Sequence, residues 1–132
     1  MNEMNEMNEK EVRDPMTIYV VVRRSLGMSP GKMAAQVAHA VKRVLLDSGK
    51  NALIDAWRAS PDEAICVLEA DENEWMKVLA LPGVFATADR GFVEVTSGTH
   101  TAAAFLPMLK SERPKLLRRL RLLTYTTDRE DD

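Results

Sequence analysis

The sequence predicts an α/β protein, a single-domain three-layer sandwich on a mixed sheet of about four strands, in the order β-α-α-β-α-β-β-α. Three observations predict it. Short apolar runs alternate with longer segments of helical period, and strands that alternate with helices build layered α/β folds. Boundary residues punctuate the pattern, among them Ser29-Pro30, Gly49, Asn51, Asp71 and Pro82-Gly83. A chain of 132 residues, 45% hydrophobic and 29% charged, has the size of one domain with a real core.

The chain opens with Met-Asn-Glu three times over, a low-complexity stretch without apolar periodicity. Residues 1–15 therefore read as a disordered leader, 16–127 as the domain, and 128–132 as an acidic tail. Thr17 to Arg23 is the first strand, its run Ile18-Tyr19-Val20-Val21-Val22 continuous enough to be buried. Ser29 suits an N-cap and Pro30 a first helical position, so a long helix runs from Pro30 to about Asp47, with Gly49 as its stop. Asn51 caps a second helix, Ala52 to Ala59. Ala64 to Glu69 is a strand, and Asp71 caps a helix over Glu72 to Ala80. Val84 to Thr87 is a short strand, and Asp89 to Gly98 a polar excursion. Thr99 to Leu106 is a further strand, stopped by Pro107. Arg113 to about Leu120 is the last helix, and Leu122 to Thr126 a short extended piece.

Several functions are excluded at once. Gly27-Met28-Ser29-Pro30-Gly31 has the form G-x-S-x-G, and Asp89 and His100 follow in esterase order. The residue after such a serine donates an oxyanion N–H, which Pro30 lacks. Gly27 to Lys32 is one residue short of a phosphate loop, with Met33 where Ser or Thr would hold magnesium. No dinucleotide fingerprint occurs. His39 and His100 lack metal-site spacing, so neither a metal nor another cofactor is expected. The lone Cys66 lies in an apolar run and reads as a small core residue. No segment reaches membrane-span length, so no membrane partner is expected, and a cytoplasmic protein is.

The long helix has two faces. Met33, Val37, Val41 and Val44 form one stripe, and Lys32, Gln36, His39 and Arg43 another. The second is either a solvated face or a line of donors leading away from a helix N-terminus suited to anions. The net charge of −2 is uneven: residues 1–14 and 128–132 carry −3 each, leaving +4 between them. Lys110, Arg113, Lys115, Arg118, Arg119 and Arg121 concentrate bases near the last helix, either as a surface face or for contact with phosphates.

Two segments together resemble the type II peptidyl-tRNA hydrolase family. One is Val20-Val21-Val22-Arg23, Leu26-Gly27-Met28 and Gly31-Lys32-Met33-Ala34-Ala35-Gln36-Val37-Ala38-His39-Ala40; the other runs from Asp89-Arg90-Gly91 through Ser97-Gly98-Thr99-His100-Thr101. The second departs from the family pattern, with Arg90 for a small residue, Phe92 for a basic one and Val93 for threonine. The resemblance implies a compact α/β fold, commonly dimeric, that cleaves the ester joining a peptide to the 3′ end of tRNA. The partner it implies is peptidyl-tRNA, with a homodimer as the assembly and no metal.

By that resemblance the catalytic residues are Lys32, Gln36, Asp89 and Thr101. Asp89 would orient or deprotonate a water, and Lys32 would meet the oxyanion or the terminal phosphate. Gln36 would hold the carbonyl or the lysine, and Thr101 would hydrogen-bond within the site. Arg23, Arg24, Arg90, Lys115, Arg118 and Arg119 would contact the tRNA, and Tyr125 could stack on a base. His39, about 10 Å along the helix from Lys32, reads as structural. Alternation sends His100 to the sheet face opposite Thr101. The rival function is a non-catalytic module on the same fold that binds tRNA or a protein.

Overall fold

A computed structural model describes residues 14–90, 95 and 97–124. The expected leader up to residue 13, the Phe92-Val93 pair, Tyr125 and the acidic tail lie outside the described residues. Strand β1 (Met16–Arg23) leads through a 3₁₀ turn, Arg24–Leu26, into helix α1 (Pro30–Asp47). Then come α2 (Ala52–Ala59), β2 (Ala64–Ala70), α3 (Glu72–Leu79), β3 (Val84–Ala88) and β4 (His100–Phe105). The two-residue strand β5 (Met108–Leu109), the short helix α4 (Lys115–Arg119) and the two-residue strand β6 (Arg121–Leu122) complete the described chain.

The sheet therefore has six strands, against the expected four or so, in the order β3-β4-β1-β2-β6, with β5 pairing the start of β1. The additional strands are too short to carry an alternation, and distant partners define them. β5 lies against Met16 and Thr17, β6 against Leu68 and Glu69. β1 and β2 run parallel and the other pairs antiparallel, so the sheet is mixed as expected.

Alternation along β1 separates two cores. Ile18 and Val20 join Ala102 and Ala104 of β4 under α1 and α2, packing with Ala40, Val44, Ile54 and Trp57. Tyr19 and Val21 join Leu68, Ala103 and Phe105 on the other face, under α3 and α4, with Trp75, Val78 and Leu117. Helices thus cover both faces, which is the three-layer arrangement. Trp75 is fully buried, and its replacement by alanine would cost about 3–5 kcal/mol.

The caps fix the helix starts. The Ser29 hydroxyl accepts the Lys32 N–H at 3.3 Å, with Pro30 at the first helical position. Asn51 accepts from Leu53, and Asp71 and Glu74 cap each other's backbone reciprocally. α1 and α2 begin and end where the sequence indicated. The last helix is shorter than expected, because Pro114 stands before it with extended backbone. Asp14 belonged to the expected leader, yet its carboxylate accepts from the Ser111 backbone N–H and hydroxyl, so the chain is already tied down there.

Candidate active site

The end of β1 and the start of α1 stand side by side because the 3₁₀ turn closes on Gly27, whose φ of 65° is left-handed. The Ser29 cap then sets Lys32 in the first turn of α1. Its ammonium donates to the carboxylate of Asp89, the residue that follows β3. Both side chains are almost enclosed, at 9% and 3% exposure. The Asp89 backbone is clamped as well: its N–H donates to the Thr99 carbonyl at 2.8 Å, and its carbonyl accepts from Gly98 at 2.6 Å.

One turn further along α1, Gln36 is 3% exposed. Its side-chain amide donates to the Thr101 hydroxyl, which donates to the Thr87 carbonyl at 3.4 Å. The buried residues of α1 are Met33, Gln36, Ala40 and Val44, while Val37 and Val41 are half-buried. The expected apolar stripe is therefore rotated toward Gln36. The alanines of β4 let the helix lie close, and a threonine beneath supplies the partner that a buried amide requires.

That threonine is aimed by a β-bulge. Thr87 pairs with Ala102, but the next pair is Ala88 with His100, so Thr101 is the extra residue of β4. Ala103 faces α3 and α4, whereas Ala102 and Ala104 face α1 and α2. Strict alternation would send Thr101 the way of Ala103. The bulge turns its hydroxyl to α1 instead. Thr101 is fully buried and His100 is exposed.

Lys32, Gln36 and Asp89 line a cleft of about 490 Å³ that continues along α1 past His39, Lys42 and Arg43, with Arg90 on its rim. His39, read from the sequence as structural, is an exposed part of this lining. Arg43 donates from Nε to the Thr87 hydroxyl at 3.4 Å. Thr87 went unnoticed in the sequence. Its signal was its place two residues before Asp89, on the same face of the strand end.

The other expected residues do not converge on the cleft. Arg23 is fixed by Glu72 at 2.6 Å, by the His100 carbonyl at 3.3 Å and over the Trp75 ring at 5.9 Å. Hydrogen bonds from Arg23 and Ser25 hold the Glu72 carboxyl down to about 2. Arg24 donates to the Met33 sulfur at 3.4 Å and lies 4.0 Å from Glu69. Lys115, Arg118 and Arg119 are exposed on α4, across the sheet from α1. Ser29 serves as a helix cap. Cys66 is half-buried at the edge of the α3–α4 core, and burial pushes its thiol up. Among the described residues no three His, Cys, Asp or Glu side chains gather to hold a metal, and no helix is long and apolar enough to cross a membrane.

Residues 16–123 match the family model described as peptidyl-tRNA hydrolase PTH2. Three archaeal proteins, each named peptidyl-tRNA hydrolase, are similar to this chain. The one from Methanocaldococcus jannaschii is 30% identical over 116 residues, covering 82% of this chain and 100% of its own length. The one from Thermoplasma acidophilum is 29% identical over 111 residues, covering 79% and 95%. The one from Aeropyrum pernix is 34% identical over 100 residues, covering 67% and 80%.

Proposed function

The chain belongs to the peptidyl-tRNA hydrolase PTH2 family, and from that premise we propose how its cleft carries out the reaction. The protein is an esterase: it hydrolyses the bond between peptide and tRNA in peptidyl-tRNA and frees the tRNA for reuse in translation. The observation that carries the mechanism is the pairing of Lys32 with Asp89 beside the pairing of Gln36 with Thr101 in one cleft.

Ester hydrolysis needs an activated water and relief of the charge that grows on the carbonyl oxygen. Asp89 is the base: its carboxylate orients a water and takes its proton as the oxygen attacks the ester carbonyl. Lys32 supplies the positive charge opposite the developing oxyanion. The tetrahedral species then expels the 3′ oxygen of the tRNA, which receives the proton, leaving a free peptide carboxyl. Gln36 and Thr101 form the floor. Their hydrogen bond fixes the amide of Gln36 beside Lys32, so the donors stand in place before substrate arrives. Low exposure on all four strengthens each electrostatic contact.

Arg90 on the rim contacts the tRNA directly, and Lys115, Arg118 and Arg119 contribute long-range attraction to its phosphates. The protein works in the cytoplasm, as a homodimer. Light scattering on the purified chain reads the dimer.

The test is release of free tRNA from peptidyl-tRNA by purified wild type and by Lys32→Ala. The variant should be slower by roughly 10²-fold or more. Equal, uncatalysed release by both would return the chain to a non-catalytic binding module.

A further inference from the structure

The cleft continues well beyond the four residues of the mechanism. It follows α1 from Lys32 to Arg43 and Asp47. Lys32 and Arg43 are about 16 Å apart at the rise of an α-helix. At 100° per residue they lie on nearly the same line, with Lys42 on the flank. The acids of the cleft are both occupied, Asp89 by Lys32 and Asp47 by Arg43 at 3.5 Å. Lys42 makes no hydrogen bond or ion pair among the described residues. The far end of the cleft therefore carries positive charge that the protein leaves open.

Arg43 is also held in place. Its Nε donates to the Thr87 hydroxyl, and the Thr87 carbonyl accepts from Thr101. Two residues of α1, Arg43 and Gln36, are thus fixed to the same pair of threonines on β3 and β4. With Nε on Thr87 and Nη1 on Asp47 at 3.5 Å, the guanidinium is held at two points while its side chain stays 46% exposed. A fixed guanidinium beside an exposed ammonium is a pairing suited to phosphate oxygens.

We propose that Lys42 and Arg43 form a phosphodiester subsite that holds the polynucleotide strand of the substrate upstream of the scissile ester. This deepens the hydrolase reading and rests on it. The substrate has two arms, and only the nucleic-acid arm carries a negative charge at every unit. A phosphate recurs at every nucleotide of that strand, so a cleft of about 16 Å spans more than one of them. The phosphate met by Lys42 and Arg43 is accordingly not the one next to the ester. The subsite sets which way the substrate lies: tRNA runs along α1 toward Asp47, and the peptide leaves at the Lys32 end.

The experiment is steady-state hydrolysis of peptidyl-tRNA at several salt concentrations by wild type, Lys42→Ala and the double variant Lys42→Ala/Arg43→Gln. The double variant should raise KM about tenfold while kcat stays within about twofold. The plot of log(kcat/KM) against log salt should flatten by about 0.7 for each single-strand phosphate that the variant no longer neutralises. Lys42→Ala removes no hydrogen bond or ion pair among the described residues, so its share of the effect is free of folding loss. Unchanged KM and slope in both variants, with normal wild-type turnover, would overturn the subsite. So would a KM effect confined to substrates with acidic peptides, which would give the cations to the other arm. Absence of wild-type turnover would defeat the hydrolase reading instead. Fluorescence anisotropy with uncharged tRNA then still decides: weaker binding by Lys42→Ala supports the subsite, and equal affinity overturns it.

Discussion

Gln36 and Thr101, 65 residues apart in the chain, share a hydrogen bond in a place that water barely reaches. Neither would choose that place alone, since a buried amide or hydroxyl without a partner costs about 1–3 kcal/mol. Gln36→Leu or Thr101→Val should each destabilise the fold by that order. The double variant should recover much of the loss, because both orphans disappear together, while hydrolysis stays impaired. Urea unfolding and turnover on the same four proteins separate the two roles. Activity returning along with stability would make the pair purely structural.

Lys32 and Asp89 pose a related test. Both side chains are almost enclosed, at 9% and 3% exposure. Removing one takes away the charged partner of the other in a nearly enclosed place, at about 3 kcal/mol or more. Lys32→Ala and Asp89→Ala should therefore lower stability as well as activity, and a conservative Asp89→Asn should abolish most turnover with a smaller loss of stability. The check is thermal melting beside kcat. An Asp89→Asn enzyme with wild-type turnover would remove Asp89 as the base.

Glu72 gives a pH signature away from the cleft. Its carboxyl is held at about 2 in the folded protein, against an ordinary 4.5. A depressed carboxylate stabilises the fold above its unfolded pKa, and that help is lost as pH falls through the folded value. Wild type and Glu72→Gln should thus differ in melting temperature above about pH 4.5 and converge toward about pH 2. The difference should be small and should shrink in salt, because the Arg23–Glu72 pair is exposed. A gap that persists at the acid end of that range would contradict this origin.

The α4 bases stand across the sheet from the cleft, so their effect on the reaction should be electrostatic and distant. Lys115→Ala/Arg118→Ala/Arg119→Ala should weaken tRNA binding and flatten its salt dependence, with kcat unaltered. Stopped-flow binding should locate the loss in the association rate. A fall in kcat would mean that α4 reaches the reacting end after all.

Much of the fold was legible because local chemistry settled it. Ser29-Pro30, Asn51 and Asp71 fixed three helix starts, and the Ile18 to Val22 run marked the central strand. The pairs Met108–Leu109 and Arg121–Leu122 were illegible as strands, since distant partners alone create them. In the site, Lys32 and Gln36 stood out by their spacing at the head of a helix. The burial of Gln36 did not, because a glutamine with a partner and one in water look alike in sequence. The route by which Thr101 reaches α1 was also hidden, for no residue type announces a bulge. Arg23 and Arg24 were expected to contact the tRNA, and their partners Glu72 and Glu69 went unseen because they are remote in the chain.

The bulge gives β4 a parity. Positions from Ala102 onward obey one alternation, and Thr101 breaks it. Deleting one residue between His100 and Ala102 would let the strand close into an unbroken ladder, leaving β1, β3 and both cores in register. The ladder and both apolar cores would be kept, and the cost to stability would be confined to the buried Gln36 amide, about 1–3 kcal/mol. The hydroxyl under Gln36 would be gone, and its amide would have no partner. One unit of chain length thus decides whether Gln36 finds a hydroxyl beneath it, and a length variant removes that hydroxyl while making the ladder continuous.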